Sequence, residues 1–286
     1  MADLIGQVVH NQFRIDSFIA SGGMGAVYRV WDMKRNVPLA MKVLHSELGE
    51  DPSMFKRFQR EGRALQKLAH PNIVPFYGMY QTANFAFMLE RYVDGPSLKD
   101  ILRSNKGKPI PIDEALIYLK SLCAALGYAH ANGVVHCDVK PGNVMIDHGG
   151  NIYLTDFGIA RHAESSLTTY DVAGTPSYMS PEQILGQSVT PATDIYSLGV
   201  ILYEMVTGQR PFRDAETLVE VGTATKGQRI RFAQLHLQPA DPITLNPTLP
   251  KNLGDVILKT LAKQPSQRYS STREFLLAVV NACNIS

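Results

Sequence analysis

The 286-residue chain has little cysteine, and its three cysteines, Cys123, Cys137 and Cys283, stand at no paired spacing. That pattern fits reduced thiols and argues against a zinc cluster or a disulfide framework. No apolar run approaches the roughly 20 residues that a membrane span needs. The start, MADLIGQVVHNQ, shows none of the charged, apolar and cleavage regions of a secretory leader. Both absences lead to the expectation of a cytoplasmic protein with no membrane span. Charge of one sign is also lacking. With 28 Lys and Arg against 26 Asp and Glu, the net charge of +2 is too small to imply a nucleic-acid or anionic-membrane partner. Repeats, low-complexity tracts and long linkers are missing too. What is present is a 45% hydrophobic composition, enough for a large core arranged as one big domain or as two lobes.

The first ninety residues read as strands with one helix. The segments FRIDSFI (13–19), AVYRVWD (26–32), LAMKVL (39–44) and NFAFMLE (84–90) have the alternating, β-branched and aromatic character of a small antiparallel sheet. From about residue 98 the pattern turns helical. The stretch IDEALIYLKSLCAALGYAHANG carries Asp113 as an N-cap candidate and Gly133 as a stop, and TDIYSLGVILYEMVTG (193–208) is apolar nearly all round, as a buried helix is. Between the two regions, RYVDGPS (91–97) has the Gly and Pro of a hinge, and clefts between lobes are favoured ligand sites.

Several polar groups stand out against this background. The turn IASGGMGAVY (19–28) has glycines that let backbone amides approach a phosphate, although a glycine-rich hairpin is equally a plain tight turn. A strand rather than a helix follows, which weighs against a dinucleotide-binding turn. Lys42 shares a strand face with Ala40 and Leu44, where an ordinary lysine can snorkel. In the helix beginning at Asp51 and Pro52, however, Glu61 falls inside the apolar stripe Met54, Phe58, Leu65 and Leu68, and a carboxylate there needs a partner such as an inward-facing lysine. In VVHCDVKPGNVMI (134–146), Asp138 can accept a proton or orient a hydroxyl, Lys140 can neutralise anionic oxygen, and Asn143 can offer a neutral oxygen to a hard cation such as magnesium. Eighteen residues after Asp138, the run YLTDFGIAR brings a second carboxylate, Asp156, to a strand end beside glycine.

In this order, over residues from about 10 to 280, these motifs resemble the protein kinase signature set. ASGGMGAVY resembles the glycine-rich loop, LAMK the segment with the ATP-orienting lysine, Glu61 its helical partner, HCDVKPGN the catalytic loop, DFG the metal motif and SPE (180–182) the end of the activation segment. GGMGAVY, HPNIV and LAKQPSQRYSS look most like bacterial Hanks-type serine/threonine kinases. The resemblance implies an α+β, bilobal protein kinase fold. Its N-lobe (1–90) would be a small antiparallel sheet with one main helix, followed by a hinge (91–97) and a larger, mostly helical C-lobe (98–286).

The resemblance also implies transfer of the ATP γ-phosphate to serine or threonine hydroxyls of protein substrates, with autophosphorylation. Adenine would lie between Val27, Ala40 and Met145, with the backbone of residues 91–93 bonded to it. Ile19, Gly22, Gly23, Gly25, Glu90, Tyr92 and Val93 would complete the nucleotide site. Lys42, held by Glu61, would orient the α- and β-phosphates. Asn143 and Asp156 would hold Mg2+, with Mn2+ as an alternative. Asp138 would orient the acceptor hydroxyl and Lys140 stabilise the γ-phosphate, a set sufficient for a reaction that asks mostly for positioning and charge stabilisation. Thr175 in AGTPSY resembles the peptide-docking threonine of serine/threonine kinases, Asp194 would brace the catalytic loop, and Arg268 would pair with Glu182. Thr168 and Thr169 are the main phosphosite candidates. By analogy alone, a homodimer through the N-lobe is a further expectation.

Three positions depart from the family pattern. Ala20 replaces the first loop glycine. Ungapped alignment on RYVDG puts Glu90 at the gatekeeper position, while another register would put Met88 there. Cys137 replaces the arginine that in most kinases receives the phosphate of the activation loop. The expectation is therefore that activity depends weakly or not at all on phosphate at Ser165, Ser166, Thr168, Thr169 or Tyr170. These departures also favour a second reading, a nucleotide-binding pseudokinase or signalling interaction module. A small-molecule kinase is a third, weakened by the peptide-docking segment. The chain is expected to be either a free-standing kinase or a catalytic fragment of a larger one.

Overall fold

In the computed structural model, the structure describes residues 4–22, 25–44, 59, 62–63, 65–82, 85–157, 176–213 and 225–283. The chain divides into two compact units, Met1–Asp94 and Gly95–Ser286.

The first unit is built on six strands: β1 (Val8–Val9), β2 (Phe13–Gly22), β3 (Gly25–Asp32), β4 (Val37–Leu44), β5 (Phe76–Gln81) and β6 (Ala86–Arg91). They form one antiparallel sheet in the order β1-β2-β3-β4-β6-β5. The period-2 alternation does the sorting. Leu39, Met41 and Val43 of β4 turn to a core shared with Ile15, Val30, Phe87 and Leu89, and each fully buried side chain of this size contributes about 1.5–3 kcal/mol. Phe13, Tyr80 and Phe87 pack ring against ring at 5.3–6.3 Å between centroids.

β2 runs three residues beyond its expected end and β4 starts two earlier, while β1 and β5 were not anticipated. β5 escapes the alternation test because Gly78, at φ 148, sits at a register shift between Phe76 and Gly78 that breaks the period. Of the expected helix around Glu61, residues 59, 62–63 and 65 are helical; Leu65 and Leu68 are buried, whereas Met54, Phe58 and Glu61 lie outside the described residues.

The second unit contains α1 (Leu98–Ser104), α2 (Ile112–Ala131), the hairpin β7 (Val144–Ile146) and β8 (Ile152–Leu154), α3 (Pro181–Ile184), α4 (Pro191–Thr207), α5 (Lys226–His236), α6 (Pro242–Leu245), α7 (Lys251–Thr260) and α8 (Thr272–Ala282). Asp113 is not the N-cap of α2. Pro111, with an extended ψ of 141, enters the helix and leaves Asp113 in the first turn, where its charge complements the helix dipole. The helix stops at Asn132, and Gly133 takes φ 73 beyond it.

α4 starts at Pro191 behind Thr190, ends at Gly208 with φ 77, and buries nearly every side chain between. It packs on α2, α6 and α7, so whatever its first turn presents is held rigidly. Gly95 is needed for another reason: a Cβ there would stand 2.0 Å from the carbonyl oxygen of Ile146. This close approach lets Pro96 accept from the Ile146 amide at 3.0 Å and fixes the β7 strand that carries Met145. Among the described residues, no helix is long and apolar enough to cross a membrane.

Candidate active site

The site is assembled on the first turn of α4. Asp194 is fully buried there, and its two oxygens take up the loop before Asp138. Oδ1 accepts from the Cys137 amide at 2.9 Å. Oδ2 accepts from the His136 amide at 2.9 Å and from His130 Nε2 at 2.7 Å. A buried carboxylate tolerates desolvation only with such donors.

His136 is equally enclosed, and each ring nitrogen has one backbone partner. Nδ1 accepts from the Asp138 amide at 3.2 Å, so Nε2 carries the proton and donates to the Thr155 carbonyl at 3.0 Å. Burial pushes the imidazole pKa below its ordinary value, outweighing the nearby carboxylates, which keeps the ring neutral. Two non-glycine residues flank this centre in the left-handed region, Cys137 at φ 62 and Asp156 at φ 56. Such conformations cost of order 1–3 kcal/mol each and persist where surrounding bonds over-determine them.

Asp138, Lys140 and Asn143 come together as one cluster. Lys140 Nζ meets Asp138 Oδ2 at 2.7 Å, and Asn143 Nδ2 donates to the Asp138 carbonyl at 2.9 Å and to Oδ2 at 3.2 Å. The Asn143 amide nitrogen is thereby spent on Asp138, which leaves the neutral Oδ1 as the donor atom for a hard cation. The Asn143 carbonyl accepts from the Thr155 amide at 2.9 Å, tying the end of β8 and the following Asp156 to the same loop. Phe157 is buried against the His136 ring with centroids 4.4 Å apart. Asparagine and aspartate oxygens are the ligand chemistry that magnesium prefers, so the residues present fit that ion.

Glu182 and Arg268 form a buried bidentate pair at 2.7 and 2.8 Å. Burial works to raise the Glu182 pKa, and Arg268 together with Thr193 outweighs it, holding the carboxyl below its usual range. Arg268 also donates to the carbonyls of Ala262, Lys263 and Ala192, so its remaining guanidinium hydrogens are occupied. Gln183 Nε2 donates to the Cys137 carbonyl at 2.7 Å. Sequence reasoning missed Gln183, His130 and the ring role of His136, because each acts on a residue brought near only by folding.

In the first unit, strand register places the remaining candidates. Ala40 pairs with Glu90 and Lys42 with Met88 across β4 and β6, so these four share one sheet face, as does Val27 opposite Lys42. Glu90 is only 9% exposed. Val93 is buried, Tyr92 lies under the Arg29 guanidinium at 5.5 Å from its ring centroid, and Ile19 is exposed. Gly22 pairs with Gly25 at the end of the β2–β3 hairpin. A Cβ on Gly25 would stand 1.8 Å from the Val43 carbonyl oxygen, so this glycine is required by the sheet itself. Met145 pairs with Tyr153 in the β7–β8 hairpin. Gly23, Glu61, Thr168, Thr169 and Thr175 lie outside the described residues.

The sequence matches the protein kinase domain family over residues 13–278. It is 36% identical over 275 residues to the serine/threonine-protein kinase PrkC of Bacillus subtilis, covering 95% of this chain and 40% of PrkC. It is 37% identical over 286 residues to the serine/threonine-protein kinase PknA of Mycobacterium tuberculosis, covering 98% of this chain and 63% of PknA. The chain thus spans only part of the length of these relatives. The crystal structure of the Mycobacterium tuberculosis PknI kinase domain superposes with a TM-score of 0.76 at 27% identity, over 98% of this chain and 100% of that domain. The chain belongs to the protein kinase domain family, and within it is similar to the bacterial serine/threonine-protein kinases.

Proposed function

We propose that the chain is the catalytic domain of an ATP-dependent serine/threonine protein kinase, with the two units as its N- and C-lobes. The observation that carries this reading is the Asp138, Lys140 and Asn143 cluster, with Lys140 Nζ 2.7 Å from Asp138 Oδ2. Asp138 orients the acceptor hydroxyl and takes its proton as the oxygen attacks the γ-phosphorus. Lys140 offsets charge on the oxygens of the transferring group, and ADP leaves with the bridging oxygen. Lys42, partnered by Glu61, orients the α- and β-phosphates. Asn143 Oδ1 and Asp156 would hold the divalent ion, which when bound would offset charge on the phosphate oxygens. Glu90 stands opposite Ala40, and on this reading it takes the gatekeeper position beside adenine, with Tyr92 and Val93 following. A kinase using cellular ATP is placed in, or facing, the cytoplasm.

The test is phosphate transfer from γ-labelled ATP to a generic protein and to the chain itself, with sites mapped by mass spectrometry. Asp138→Asn is expected to lower transfer by about 10²–10⁴-fold with ATP still bound. ATP binding without transfer by the unmodified protein would favour the interaction-module reading, which rests on Ala20 and the uncharged Cys137. Paired Thr168→Ala and Thr169→Ala substitutions are expected to leave transfer to a generic substrate within about twofold, because Cys137 has no charge to receive a loop phosphate. Loss of that activity in the pair would refute phosphate independence.

A further inference from the structure

One peptide in the catalytic loop is pinned at both polar ends. Between Cys137 and Asp138, the N–H goes to His136 Nδ1 at 3.2 Å, and the carbonyl accepts from Gln183 Nε2 at 2.7 Å. Cys137 lies at φ 62, in the sparsely populated left-handed region, a conformation that surrounding bonds must hold. Its side chain adds no charge; Sγ rests 3.6 Å from the Val135 carbonyl.

Gln183 divides its own amide between two tasks. Its Oε1 accepts from the Ser180 amide at 3.1 Å and from Ser180 Oγ at 3.3 Å, closing the capping box at the start of α3. Its Nε2 crosses to the carbonyl immediately before Asp138. The oxygen end is satisfied at the start of α3, and the nitrogen end serves the loop.

We propose that Gln183 is a positioning residue for Asp138: a neutral tether from α3 that sets the peptide carrying the catalytic carboxylate, with no phosphate or ion pair. The inference rests on the kinase reading for its effect on turnover. It has its own structural readout as well.

Gln183→Glu separates the tasks. A carboxylate preserves the acceptor that caps α3, since Glu serves a capping box as well as Gln, but it turns an oxygen lone pair toward the Cys137 carbonyl. At pH 8 the variant is expected to lose about ten- to a hundredfold in kcat with KM for ATP unchanged, and to melt near the wild-type temperature. As pH falls, the acid takes a proton, donates to the Cys137 carbonyl and recovers kcat relative to wild type. Facing a carbonyl raises the pKa of such a carboxyl, so the recovery should be visible between about pH 8.5 and 5.5. An unchanged kcat, or a loss equal at every pH, would overturn the tether. If the wild-type protein itself transfers no phosphate, the kinase reading fails separately. Peptide-level hydrogen exchange over residues 134–143 then decides the tether: faster exchange in Gln183→Glu supports it and equal exchange overturns it.

Discussion

His136 shows how much one neutral side chain can carry. Its ring is buried, accepts from the Asp138 amide and donates to the Thr155 carbonyl, and the acceptor bond at Nδ1 requires the neutral form. Burial lowers its pKa from the ordinary 6.5. Below pH 6.5 the unfolded chain takes up a proton that the folded ring does not, so stability falls as pH drops from that value toward the depressed one. Urea unfolding between about pH 7.5 and 5.5 should show this fall in the wild-type protein and a shallower one in His136→Gln, which has no titrating ring. Parallel slopes would show that the ring is not held neutral. His136 lies inside the HCD motif and was legible as part of it, but its tautomer was not. That depends on Thr155, nineteen residues away in sequence.

Among the elements, the short helix α3 is held less by its own four residues than by what they reach. Glu182 meets Arg268, which follows the 3₁₀ turn Pro265–Gln267, and Thr193 of α4 donates to the same carboxylate at 2.8 Å. The Arg268 guanidinium also lies over the Tyr196 ring, 4.8 Å from its centroid. Removing one member of a buried pair leaves the other charge uncompensated. Arg268→Met is expected to cost about 3–5 kcal/mol in urea unfolding, and Arg268→Met combined with Glu182→Leu about the same or less. A double variant that loses the sum of two full single losses would contradict this account. Because the folded Glu182 pKa is depressed from 4.5, the pair's contribution is complete above that value and disappears as pH falls through the folded one. β4, with its clean alternation, and α4, apolar nearly all round, were readable in the sequence. β5 was not, since Gly78 interrupts its alternation, and Pro111 rather than Asp113 starts α2 because an extended proline already supplies the entry geometry.

On the scale of the whole molecule, nucleotide and metal binding should appear as stability. A ligand that binds only the folded chain adds RT ln(1 + [L]/Kd), about 2.7 kcal/mol at a hundredfold excess over Kd. Thermal unfolding with ATP and magnesium should therefore shift upward relative to the protein alone, and chelating the metal should remove most of the shift. Asn143→Ala, which deletes the proposed metal oxygen, should reduce the magnesium-dependent part. An equal shift in that variant would remove Asn143 from the metal site. The two units contribute different residues to this reading, Lys42, Glu90 and Val93 from the first and Asp138, Asn143 and Asp156 from the second.

The amino-acid order alone determined the family, the two-part organisation expected of it, and the identity of the polar groups proposed to carry the chemistry. Those features are local: a lysine on an alternating strand, an aspartate, lysine and asparagine within six residues, an apolar helix ended by glycine. Tertiary structure decided how the groups are held. Asp194 shares its oxygens among His130, His136 and Cys137, Gln183 reaches back 46 residues to the Cys137 carbonyl, and Ala40 faces Glu90 across the sheet. Each of these bonds joins groups distant in the chain, and desolvation makes every buried donor and acceptor demand a partner that only the completed packing can supply.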